Sequence, residues 1–158
     1  MRKTIAFLLC LISTIILRAQ DKNEFDFTFN HLALSVKNLD ASVDFYKRVF
    51  QFKEIENRTA IEGIRWLSMG EGKELHLISI IKEPVAINKA VHLAVTTQNF
   101  DAFTKHLDGL NIEYSDFAGK AHAVNVRADG VKQIYFKDPD GYWAEVNNGY
   151  SAAPAKKE

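Results

Sequence analysis

Cysteine is nearly absent from this chain. Its one copy, Cys10, rules out an intramolecular disulfide framework and a thiolate zinc cluster. Charge of one prevailing sign is missing as well. Lys and Arg number 20, Asp and Glu 20, and without a concentrated basic surface nothing argues for a nucleic-acid partner. A membrane-spanning run is also missing: the longest largely apolar stretch, Ile5 to Leu17, has 13 residues, short of the roughly 20 that cross a bilayer. What is present is the make-up of a packed domain. The 158 residues are 47% hydrophobic and 25% charged, which suits one domain of ordinary size.

The start of the chain reads as an export signal. Arg2 and Lys3 precede the short apolar run, and Ala19 places a small residue before Gln20. This predicts a signal peptide over 1–19, cleavage near Ala19, a periplasmic or secreted mature protein and no stable membrane association afterwards. Cys10 lies inside the apolar run, with Leu8 and Leu9 before it, which argues against lipid attachment. Cleavage removes the one thiol, so a catalytic thiolate is excluded. Removing Arg2, Lys3 and Arg18 from 20 basic residues leaves 17 against 20 acidic, a net charge of −3.

Beyond a short extension (20–26), the pattern is one unit used twice. Asn30 to Val36 alternates, with Leu32, Leu34 and Val36 on one side and His31, Ala33 and Ser35 on the other, as a strand with one apolar face does. Asn38 or Asp40 can cap a helix whose stripe is Val43, Tyr46, Val49 and Phe50. Phe52 to Glu56 reads as a strand; Ile64 to Met69 and Lys73 to Ile80 read as a hairpin. A shift of 61, from 31 to 92, carries His31-Leu32-Ala33 onto His92-Leu93-Ala94 and Asp40-Ala41 onto Asp101-Ala102. The second copy then predicts a strand from Val91 to Thr96, a helix from about Phe100 to Leu110 and a strand from Ile112 to Phe117. A hairpin of Lys132 to Lys137 and Tyr142 to Asn147 follows, around Asp138-Pro139-Asp140-Gly141. The fold class is therefore α+β: two βαβββ modules in tandem, 27–80 and 91–148, joined by a linker at 81–90, with a flexible tail at 149–158.

Parity puts His31 and His92 on the faces opposite the apolar stripes. If helices cover those stripes, the other faces form an open concave sheet, and pseudo-twofold symmetry brings the two histidines together. Glu145 in the last strand points the same way; in the matching strand of the first module His76 or Glu74 holds the equivalent place. Three imidazoles and one carboxylate suit one divalent ion such as Zn, Ni, Mn or Fe.

The run from His31 to Tyr46 resembles the opening of the vicinal oxygen chelate superfamily, and Tyr135-Phe-Lys-Asp-Pro-Asp-Gly-Tyr-Trp-Ala-Glu-Val146 resembles its ending. That superfamily holds glyoxalase I, methylmalonyl-CoA epimerase, fosfomycin-resistance thiol transferases and extradiol dioxygenases. The resemblance spans roughly 27–148. It implies metal ligands at His31, His76, His92 and Glu145, and a small-molecule substrate chelated through adjacent oxygens. Glyoxalase I usually carries a carboxylate where His76 stands, so Glu145 is left as the one ligand able to act as catalytic base, unless Glu74 substitutes. A glyoxalase I-like isomerase or lyase is the leading expectation. An Fe(II) extradiol-type dioxygenase, with His31, His92 and Glu145 as its triad, is an alternative; so is thiol addition by the same three residues. A non-catalytic metal or small-ligand binding protein is the alternative from another class. The modules pair either within one chain or across a homodimer.

Arg65, Trp66, His122, Asn125 and Arg127 are candidates to contact an anionic substrate in the cavity. Gly70-Glu71-Gly72-Lys73 lacks the remaining P-loop residues, and Asp138 to Gly141 is a turn signal and not a calcium loop.

Overall fold

The computed structural model describes residues 27–149. The expected signal peptide and extension, and all of the expected tail except Gly149, lie outside the described residues. Among the described residues no helix is long and apolar enough to cross a membrane.

The first module runs β1 (His31–Ser35), α1 (Leu39–Phe50), β2 (Lys53–Ile55), β3 (Ile64–Gly70) and β4 (Lys73–Ile78). Its sheet has the order β1-β4-β3-β2, with β1 parallel to β4 and the remaining pairs antiparallel. The Asn38 side chain caps α1 by accepting from the Ala41 amide, which satisfies one of the donors a helix start leaves free. Gln51 ends the helix in the left-handed region, φ 57°, and turns the chain into β2.

The second module repeats the plan with β5 (His92–Thr96), α2 (Phe100–Gly109), β6 (Asn125–Val126), β7 (Lys132–Lys137) and β8 (Trp143–Asn147), in the order β5-β8-β7-β6. The expected strand over Ile112 to Phe117 does not form. Asn111 turns the chain at a φ of 54°, and Ser115 alone exchanges backbone hydrogen bonds with Tyr135, both at 2.8 Å. The chain then folds back on itself: the Gly119 amide donates to the Asp116 carbonyl, and Gly119 sits at a φ of 95°. The second strand of the module, β6, comes later and is two residues long. The extra length of this module relative to the first lies in that excursion.

The apolar faces of both sheets meet in one core. Leu34, Leu67, Leu75 and Leu77 of the first sheet and Ile134, Phe136, Ala144 and Val146 of the second belong to a single buried cluster with Val43, Phe45, Tyr46, Val49, Phe100 and Leu107 of the helices. Fully buried side chains of this size contribute about 1.5–3 kcal/mol each. Rings carry the cluster across the module boundary: Phe45 and Phe50 lie 6.4 Å and 5.7 Å from Phe136, and Phe50 lies 6.1 Å from Phe103.

Polar contacts lock the same boundary. Asp138 accepts from the Tyr46 hydroxyl at 2.9 Å and from the Asp140 and Tyr142 amides at 2.9 Å and 2.8 Å. Asp140 accepts from the Lys37 amide at 2.9 Å and the Ser42 hydroxyl at 3.0 Å. The Asp-Pro-Asp-Gly turn thus sits on the N-terminus of α1, where negative charge is favoured.

Because side chains alternate across a strand, burying these apolar faces in one shared core sends the opposite faces, which carry the histidines, away from it. β1 and β5 are each at the edge of their sheet, so each bears a histidine on a strand paired along one side.

Candidate metal centre

On the outward face of the first sheet, β1, β4 and β3 line up His31, His76 and Trp66. The His76 ring stacks on His31 at 4.2 Å with an interplanar angle of 13°, and on Trp66 at 4.1 Å and 4°. The Arg58 guanidinium lies 4.5 Å over Trp66. Glu74 accepts from His76 Nε2 at 2.8 Å and from Arg58 at 2.8 Å. Arg58 first, and His76 second, hold its carboxyl below the usual carboxylate range. His31 Nδ1 donates to the Asn30 side-chain oxygen at 2.7 Å.

On the outward face of the second sheet, β5, β8 and β7 bring together His92, Glu145 and Tyr135. His92 Nε2 stands 3.3 Å from Glu145 Oε2. His92 Nδ1 donates to the Lys89 carbonyl at 2.8 Å, which leaves Nε2, on the Glu145 side, as the nitrogen not engaged by the backbone. Glu145 is buried, and each of its oxygens is held: Tyr135 donates its hydroxyl hydrogen to Oε2 at 2.7 Å, and Asn147 donates to Oε1 at 2.8 Å. Burial above all, then Glu145 beside it, pushes the Tyr135 phenol well above its ordinary value, which keeps it a donor. Gln133 donates to the Tyr135 oxygen, and its own Oε1 is buried without a partner among the described residues. The Lys89 ammonium, from the linker, lies 4.3 Å from the Trp143 ring and 5.3 Å from Tyr135, and donates to the carbonyls of Asp116 and Phe117.

The four expected ligands are therefore brought together as two pairs, His31 with His76 and His92 with Glu145. Among the described residues no group of three or more His, Cys, Asp or Glu is placed to hold a metal ion within the chain. Of the five expected substrate contacts, Trp66 lies on the site face, and Asn125, which pairs with Gln133, shares the face of Tyr135. Arg127 is close enough to help lower the Tyr135 phenol and is paired with Asp129 at 2.6 Å. Arg65 does not reach the site face. It precedes Trp66 in β3 and so points to the opposite, helix-bearing side, where it binds Glu54 at 2.6 Å and Asp40 at 2.5 Å. His122 is exposed, 3.6 Å from Asp108 at the end of α2. Missed from the sequence were Tyr135, Asn147, Gln133 and Lys89. Alternation along β7 and β8 was the available signal for the first three, since Tyr135 is the direct cross-strand partner of Glu145.

A profile of the Glyoxalase/Bleomycin resistance protein/Dioxygenase superfamily matches residues 28–146. The chain belongs to that superfamily. Among curated relatives it is 27% identical over 129 residues to "Glyoxylase I 4" of Arabidopsis thaliana, covering 77% of this chain and 70% of the relative. It is 32% identical over 128 residues to "Metallothiol transferase FosB" of Bacillus licheniformis, covering 76% and 74%. Among solved structures, "Oxidase ChaP-H2" superposes with a TM-score of 0.66 at 17% identity, covering 81% of this chain and 98% of that one. The fosfomycin resistance protein FosX from Listeria monocytogenes gives 0.63 at 20%, covering 78% and 94%. These two likenesses show the superfamily's fold: two modules in tandem, each a four-stranded mixed sheet.

The donor chemistry fits a divalent cation. His31 and His92 each present an Nε2 lone pair fixed by a hydrogen bond at Nδ1, the arrangement that orients metal-binding imidazoles, and Glu145 supplies a carboxylate braced on both oxygens. Two imidazoles and a carboxylate are the ligands a borderline ion takes.

Proposed function

We propose that this protein is a metal-dependent enzyme in which His31, His92 and Glu145 hold one divalent ion, and that a second copy of the chain completes each site. The observation that carries the reading is the 3.3 Å approach of His92 Nε2 to Glu145 Oε2 with both histidine Nδ1 atoms already engaged. The edge positions of β1 and β5 support the pairing of two copies: an unpaired strand edge invites a partner, and a twofold dimer setting β1 of one copy beside β5 of the other brings His31 to His92 and Glu145.

When bound, the ion supplies Lewis-acid polarisation to a small substrate held through adjacent oxygens. The chain's own residues define which reaction follows. Both Glu145 oxygens accept hydrogen bonds, so this carboxylate is a ligand and poorly disposed to carry a proton between two carbons. On the outward face of the first sheet Glu74 is likewise committed, to Arg58 and His76. We therefore favour addition of a nucleophile, thiol or water, to the activated substrate, the reaction class that the name metallothiol transferase gives its relatives. Glyoxalase-type isomerisation, with Glu145 as base, is the second reading, supported by the similarity to "Glyoxylase I 4".

Complementation tests the shared site. His31→Ala and His92→Ala chains should each lose stoichiometric metal. After unfolding and refolding together, their mixture should regain about a quarter of the wild-type content, because half of the dimers are mixed and each of these has one intact site. No recovery, with both variants folded and dimeric, would exclude a site shared between copies. A turnover screen of the loaded protein with epoxides and thiols, hemithioacetals and catechols then separates the reactions; metal binding with no turnover in any of them supports a binding protein.

A further inference from the structure

We propose that His76 is a positioning residue for His31 and not a ligand of the ion. The inference rests on the ligand set given above and adds what holds its most exposed member in place.

His31 is exposed and stands on an edge strand. Its Nδ1 bond runs to the side chain of Asn30, itself exposed, so the plane of the ring is left to its neighbours to set, and immobilising a side chain at the moment of binding weakens the binding. The row of flat groups beside it removes that freedom in advance. His76 sits on β4, between β1 and β3, with one face on His31 and the other on Trp66, both within 4.2 Å and nearly parallel. Arg58 extends the row beyond Trp66. Trp66 and His76 are 8% and 9% exposed, so the inner part of the row is fixed by packing. Its outer part is closed by Glu74, which joins His76 Nε2 to the Arg58 guanidinium. The nitrogen of His76 corresponding to the one His31 and His92 leave open is therefore spent on Glu74. Glu74 in turn has an oxygen on each partner and serves as the brace of the row. A planar ring at position 76 is what the arrangement needs; a donor nitrogen there is needed only to reach Glu74.

The test is a cobalt(II) titration of the full-length dimer, following visible absorption bands and measuring affinity by competition with a chelator. Wild type should take one ion per site, and His31→Ala should take none stoichiometrically. His76→Ala should still reach full stoichiometry at saturation, with affinity lowered about 10–100-fold, as when an orienting partner is lost, and with altered absorption bands. His76→Phe, which keeps a flat ring, should restore both the affinity and the bands towards wild type. Should His76→Ala fail to fold, as judged by its melting curve, Glu74→Gln and His76→Phe still decide. The first should weaken binding without changing stoichiometry; the second should keep the ion. Loss of the ion in His76→Phe to the extent seen in His31→Ala would make His76 a ligand and overturn the proposal while leaving a metal site in place. Unchanged affinity and bands in His76→Ala would overturn it too. A wild-type protein that binds no cobalt would end the ligand set itself, and this proposal with it.

Discussion

Tyr46, on the first helix, donates its hydroxyl hydrogen to Asp138, in the last hairpin, across 2.9 Å of buried interior. The two residues are 92 positions apart, and their bond joins the modules where the aromatic cluster also crosses.

Cutting this bond should loosen the whole domain. Asp138→Ala removes an acceptor of three hydrogen bonds and should lower unfolding stability by about 2–4 kcal/mol, with Tyr46→Phe costing about 1.5–3 kcal/mol. Urea denaturation of both single variants and of the pair checks the coupling: the double variant should lose less than the two singles added together. Strict additivity would mean that the bond contributes nothing of its own.

Arg65 should matter for stability and not for substrate. Its hydrogen bond to Glu54, the largest influence, holds that carboxyl below the usual range. A lowered carboxyl stabilises the fold above its unfolded value of about 4.3, and the contribution is lost as pH falls through the lowered value. Arg65→Ala should flatten stability against pH in that acid window and leave KM unchanged in any turnover the metal-loaded protein shows. A raised KM would return Arg65 to the substrate site.

Tyr135→Phe deletes one of the two donors that hold Glu145. Metal affinity should fall about 10-fold or more with stoichiometry unchanged, in line with other losses of a ligand's hydrogen-bond partner. Calorimetric titration of the folded variant measures it; equal affinities would mean that Asn147 alone suffices.

Much of this was legible from residue order. The 61-residue shift located both modules and set His31 and His92 at matching places in them, and alternation put His31, His92 and Glu145 on the outward faces. Arg65 and Trp66 are adjacent in one strand, so alternation already forbids both from facing the cavity. Two things were not in the pattern. Ile112-Glu113-Tyr114-Ser115 alternates as a strand does, and the backbone turn at Asn111 and the fold-back around Gly119, which reduce it to isolated bridges at Ser115, are not written in that pattern. The commitment of His76 to Glu74 depends on a side-chain orientation, which alternation does not specify.

The export reading rests on residues 1–19 alone. We expect protein recovered from fractionated cells to begin near Gln20 and to be found outside the cytoplasm, as N-terminal sequencing would reveal. An intact Met1 in the cytoplasmic fraction would overturn it and favour a thiol such as glutathione as co-substrate.

The seating of Asp140 on the start of α1 has a consequence for the order in which the protein is made. The Lys37 amide and the Ser42 hydroxyl meet their carboxylate 103 and 98 residues later in the chain. A growing polypeptide therefore presents a complete first helix whose opening turn lacks this partner until the final hairpin has been synthesised. Contacts of such long range make folding slow, and here they tie the finishing of the first element to the arrival of the last. Truncation just before Asp138 should therefore leave the start of α1 without these partners and the first module less stable than in the whole domain.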